Sequence, residues 1–128
     1  MYTPEDVRVL LARGRELLIL RGRGHADAVW HLPGTERRPH ETVAEAAVRC
    51  GQELGGILEP TAVLPKLEFH QENRAITAHL VLGRVVEPPR EDDRIDARWI
   101  LTPRWIEYHF EPISHELLSH YQAFPPAE

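Results

Sequence analysis

From Trp30 to Ile57 the chain reads WHLPGTERRPHETVAEAAVRCGQELGGI, and most of its residues suited to chemistry stand in this stretch. Thr42 followed by Glu45 ahead of an apolar run is a capping-box signature. No proline interrupts Val43 to Leu54, and Gly55-Gly56 supplies a stop, so the spacing predicts a helix over 43–54. On a helical wheel Val43, Ala46, Ala47, Cys50 and Leu54 share one apolar stripe, while Glu45, Arg49 and Glu53 lie on its flank. Gly51 falls mid-helix, where glycine costs about 1 kcal/mol relative to alanine. Cys50 is the one cysteine, which excludes an intrachain disulfide and reads as a small packed residue rather than a nucleophile. Eight histidines invite a metal or general-base role, since imidazole titrates near neutrality and binds zinc when neutral. No His-x-x-x-His pair falls on the central helix, so zinc spacing is missing. His31, beside the WHLPG run, and His79, which shares a strand face with Ala75 and Thr77, are the candidates for acting on a substrate.

Within the same stretch, WHLPG, Glu41, Arg49, Glu53, Gly56 and Ile57 fall in register with the box of the Nudix hydrolases. That box reads Gly, five residues, Glu, seven residues, Arg-Glu-apolar-x-Glu-Glu-x-Gly-apolar. The chain resembles this family over most of its length, because the opening hairpin VRVLLARGRELLILRGRG and the DARWI strand also stand where Nudix proteins place theirs. The resemblance implies a Nudix fold of α/β (α+β) class, a mixed β-sheet sandwiched between helices. It also implies Mg²⁺- or Mn²⁺-dependent hydrolysis of nucleoside diphosphate-X substrates. In the family, three acids at i, i+3 and i+4 on one helix face hold the ion against a diphosphate. Here those positions are Cys50, Glu53 and Leu54, and the box glycine is Thr35. Soft sulfur and an alkyl group do not ligate a hard ion, so the donor set reads against ordinary Mg²⁺ binding.

The resemblance assigns further roles. Glu41 and Arg49 brace the loop against the helix. Arg21 and Arg23 stand where basic groups are directed toward phosphate, and Glu91, beside Asp92 and Asp93, where some relatives carry an auxiliary metal-binding acid. Phe110 and Glu111 stand where purine-specific relatives grip a base, and Cys50 and Leu54 would form an apolar floor beneath a less charged ligand.

These residues need elements to hold them. Val7–Ala12 and Glu16–Leu20 flank Arg13-Gly14-Arg15 and read as a hairpin. Residues 21–28 and 35–40 read as loops, with a short apolar segment, 29–32, between them. Residues 61–69 and 74–86 read as a second hairpin joined at Gln71-Glu72-Asn73, with Pro65 marking an edge or bulge. A strand at 97–100 and a helix at 114–121 complete the expectation. With 128 residues, one domain over 1–128 accommodates all of this. A formal charge of −5 gives no basic footprint for general nucleic-acid or anionic-membrane binding, and no run approaches the roughly 18 apolar residues of a membrane span. MYTPEDVRVL lacks a basic n-region, so no signal peptide is expected, and a reducing cytoplasm is the expected setting.

The function expected is a divergent Nudix-fold protein, monomeric or homodimeric, that binds a small phosphorylated or organic ligand and is turned toward metal-independent chemistry or none. The alternatives are an active Nudix hydrolase and a non-catalytic sensor or partner-binding module.

Overall fold

The computed structural model describes residues 5–22 and 29–121. Its strands are β1 (Asp6–Arg13), β2 (Glu16–Gly22), β3 (Gly34–Glu36), β4 (Ile57–Val63), β5 (Leu67–Gln71), β6 (Arg74–Glu87) and β7 (Ile95–Leu101). All join one mixed sheet of order β4-β6-β1-β2-β7, with β3 on β1 and β5 on β6. Helix α1 (Val43–Glu53) packs on one face, and a 3₁₀ helix (Thr102–Glu107) with α2 (Pro112–His120) on the other.

Strand alternation divides the core. Val7, Val9 and Leu11 of β1, with Leu18 and Leu20 of β2, meet Ala46, Ala47 and Cys50 of α1. Leu17 and Ile19, pointing the other way, meet Leu80, Phe110, Leu117 and Leu118. Each side is therefore sealed by residues that the sequence already separates by parity.

Helix α1 begins and ends as its sequence dictates. Glu45 N–H donates to Thr42 Oγ1 at 3.0 Å and Thr42 N–H donates to Glu45 Oε1 at 2.8 Å, a reciprocal capping box. At the other end Gly56 N–H donates to Gly51 O and Gly55 N–H to Gln52 O, with Gly55 at φ +79°. This is a Schellman closure, and it needs the left-handed residue that glycine supplies.

Three expectations change. Residues 61–69 are not one strand: β4 ends at Val63 and β5 starts at Leu67, both pairing with β6. Pro65 lies between them and breaks the run because it has no N–H to donate to a ladder. The second hairpin closes through a tight turn, Glu72 and Asn73 both having positive φ, which suits a two-residue connection. Gly51, rather than eroding α1, lets the helix approach β4, since a Cβ there would stand 2.9 Å from Leu58 Cδ2.

The opening hairpin is paired only beside its turn, at Ala12↔Leu17 and Arg13↔Glu16. Beyond that point β1 and β2 splay apart and residues 31–36 wedge between them. His31 bridges Leu20, Val9 N–H donates to Pro33 O, and β3 runs antiparallel to β1 from Arg8↔Gly34 to Asp6↔Glu36. The start of the box is thereby built into the middle of the sheet.

Candidate functional site

Leaving the wedge, the chain loops through Arg37 to Glu41 and enters α1, and one guanidinium holds that loop. Arg49 Nε and Nη2 each donate to the Glu41 carboxylate at 2.8 Å, a bidentate fork. Nη2 also donates to Glu36 O at 2.8 Å and Nη1 to Thr35 Oγ1 at 3.0 Å. The Arg49 guanidinium holds the Glu41 carboxyl down to about 2. Glu41 and Arg49 thus stand together as a brace, and Thr35, in the box-glycine position, contributes a hydroxyl to it.

The helix face behaves differently. Cys50 is 2% exposed and packed in the α1-side core, and burial pushes its thiol up to about 12. Buried in this way it packs between α1 and the sheet, with Ala46, Ala47 and Leu18 in the same cluster. Leu54 is half-buried and does line a cavity of about 530 Å³ with Leu20, Glu53, Glu91, Asp92 and Asp93. Glu53 is exposed and faces Arg49 at 3.4 Å. Glu53 and Glu91 therefore border one space, but no group of three or more His, Cys, Asp or Glu among the described residues is placed to hold a metal ion. A protonated buried thiol, an alkyl chain and one carboxylate facing a guanidinium do not fit a Mg²⁺ or Mn²⁺ ion on this helix face.

A second cavity, about 430 Å³, opens where the wedge meets α2, lined by Asp6, Arg8, His31, Thr35, Glu36 and Glu111. Arg8 had no signal in the sequence. Its Nε donates to Asp6 at 2.5 Å, and its Nη1 donates to Glu111 at 2.7 Å and to Ser114 Oγ at 3.2 Å. Glu111 is engaged again as the N-cap of α2, accepting from Ile113 N–H and Ser114 N–H. The Glu111 carboxylate is thus shared between Arg8 and the helix end. Phe110, at 5% exposure, belongs to the α2-side core.

His31 is half-buried on the wall of this cavity, its Nδ1 2.9 Å from Leu32 O. His79 does share its strand face with Ala75 and Thr77, but it is tied into structure. It is 8% exposed, and its Nε2 lies 2.5 Å from Glu5 Oε1, while the other Glu5 oxygen accepts from Arg37. These two partners hold the Glu5 carboxyl below its ordinary range, His79 foremost. The Glu5 carboxylate thereby engages the His79 Nε2.

Arg21 pairs with Asp96 at 2.8 Å and stacks on Trp30. Arg23 lies outside the described residues. The acids and the Arg49 brace were visible in the sequence through the resemblance of the box. Arg8 was not, since Glu111 is 103 positions away.

A mixed sheet between helices, with a loop wedged into it and braced to α1 by a Glu–Arg pair, defines a Nudix fold, and the chain has that fold. It is similar to a NUDIX hydrolase from Nitrosomonas europaea, with a TM-score of 0.74 at 16% identity over 95% of this chain and 90% of the other. It is also similar to a MutT protein from Methanosarcina mazei, at 0.72 and 20% over 92% and 91%. An Ap4A hydrolase from C. elegans gives 0.66 and 15% over 95% and 97%. No family model and no curated protein matches the chain. No helix among the described residues is long and apolar enough to cross a membrane.

Proposed function

We propose that the chain is a divergent Nudix-fold protein that binds a small phosphorylated or organic ligand and does not carry out ordinary metal-dependent pyrophosphate hydrolysis. The carrying observation is the state of the helix face: Cys50 is core, Leu54 is apolar, and Glu53 is the one carboxylate among the three positions 50, 53 and 54. Removing two of three anionic ligands removes most of the field that offsets dehydration of Mg²⁺. The preserved brace and wedge support a retained cleft, and fold alone does not establish an activity. A reducing cytoplasmic setting suits the free, buried Cys50.

Mg²⁺ and Mn²⁺ titrations with nucleoside triphosphates and diphosphate-linked sugars test this reading. The unmodified protein should show no metal-dependent turnover, and robust turnover would overturn the proposal. Cys50→Glu/Leu54→Glu should gain metal-dependent turnover. Because position 50 is buried, Leu54→Glu alone is the companion variant, read by its gain in metal affinity.

A second reading, an active hydrolase, draws on Glu53 and Glu91 bordering one cavity. Turnover lost in Glu91→Gln would establish it.

A further inference from the structure

Two carboxylates stand opposite each other on adjacent strands. Asp6 of β1 pairs directly with Glu36 of β3, so both side chains leave the same face of the sheet, roughly 5 Å apart at Cβ, and like charges so placed cost stability. Arg8 takes up Asp6, whereas the Glu36 side chain is exposed and has no hydrogen-bond or ion-pair partner among the described residues. The register fixes the face. Asp6 also pairs with Ala78 of β6, a member of the α2-side core. Ile76 and Arg74, two and four positions before Ala78, pair with Phe69 and Gln71 of β5. Gln71, Arg74 and Ile76 therefore look the same way as Asp6 and Glu36.

That face holds a cavity of about 360 Å³ between the β5–β6 turn and Ile113 of α2, with Asp6, Glu36, Gln71 and Arg74 on its walls. Asp6 and Glu36 also line the cavity around Arg8, so the two spaces meet along this pair as one groove. Over the groove, the carboxylates of Asp6, Glu36, Glu72 and Glu111 outnumber the guanidiniums of Arg8 and Arg74 by two. The Gln71 side chain adds a second unmet demand, because its Oε1 is buried without a hydrogen-bond partner. Such an atom is uncommon, since nothing repays its loss of water.

We infer that this groove takes an organic cation, an ammonium or amidinium group carried on a small apolar body, with Glu36 as its anchor. An amidinium meets a carboxylate through two parallel N–H···O bonds, the fork that arginine uses. Placed beside Asp6 and Glu36, it turns their mutual repulsion into shared attraction. Gln71 offers an amide acceptor that lacks a donor, and Ile76 and Ile113 supply apolar surface for the body of the ligand. A phosphate would meet two surplus negative charges and is kept out. The inference rests on the ligand-binding reading proposed above and narrows it, at this groove, to the organic class.

Benzamidine titrated calorimetrically into the full chain in EDTA tests this, with benzamide, its uncharged analogue of the same shape, and adenosine, a neutral donor-bearing heterocycle, as controls. Saturable binding of benzamidine is expected, weakened by salt, with both controls about tenfold weaker or silent. Glu36→Gln should weaken benzamidine binding about tenfold. By relieving the repulsion from Asp6 it should also raise the melting temperature of the free chain, whereas loss of a carboxylate that merely held the fold would lower it. Glu59→Gln, at the Arg84 pair on β4 and β6, should leave binding unchanged. The inference is overturned by no saturable binding, by benzamide or adenosine binding as tightly as benzamidine, or by an equal loss in Glu59→Gln. Unaltered binding or a lowered melting temperature in Glu36→Gln overturns it as well. Since EDTA excludes divalent metal, metal-dependent turnover would remove the proposed function without touching this result, and a silent titration would remove the cation groove without deciding turnover.

Discussion

Replacing Glu41 by Gln keeps the shape of the brace and removes its charge. The carboxyl sits at about 2 in the folded protein against an ordinary 4.5, and its side chain is only 14% exposed, so solvent screening is modest. At about 1.36 kcal/mol for each tenfold change in proton affinity, the difference is worth about 3 kcal/mol of stability. The sign follows from the depression. The contribution is fully present above about pH 4.5 and is lost as pH falls through about 2, because the unfolded chain takes up the proton first. Urea unfolding of wild type and Glu41→Gln across this range, read by circular dichroism and extrapolated linearly, isolates the effect from Glu5, which is also depressed. The stability gap should be about 3 kcal/mol near neutrality and narrow by about 2 kcal/mol by pH 3. Two parallel curves would refute the reasoning, since a gap that ignores pH cannot come from a carboxylate held ionised by Arg49.

Gly51→Ala should fail to give the roughly 1 kcal/mol that helix propensity promises. The new methyl group meets Leu58 at 2.9 Å, and thermal melts should show a loss of about 1 kcal/mol. The Cys50 thiol, buried and pushed up to about 12, should resist iodoacetamide at pH 8 and react only in denaturant. Rapid labelling of the folded protein would contradict the packing described for it.

How much of this was legible in the sequence depended on distance along the chain. Helix α1 was readable because its cap, Thr42 with Glu45, and its stop, Gly55-Gly56, are local signals with fixed offsets. The Glu41–Arg49 fork was readable through the resemblance, which implies the pair as a brace, and the structure joins the two side chains. The wedge of residues 31–36 was not, since nothing in the hairpin VRVLLARGRELLILRGRG states that its strands part after two pairs. Cys50 and Leu54 shared a stripe on the wheel, but the wheel could not say that one enters the core and the other borders a cavity. Glu111 looked free because its partner Arg8 belongs to the first strand. His79 had the right strand parity, yet its partner Glu5 lies 74 positions away.

The wedge has a consequence for how the protein folds. Strand β1 lies parallel to β6, about seventy positions distant, and antiparallel to β3, with only two pairs to its sequence neighbour β2. A parallel partner cannot be recruited by a tight turn, and long loops must close before the contacts repay their entropy. Residues 31–36 find both their neighbours, β1 and Leu20 of β2, nearby in the chain, and it is the other side of β1 that waits for β6. The wedge is therefore built from contacts of shorter loop length than the parallel pair that completes the sheet beside it.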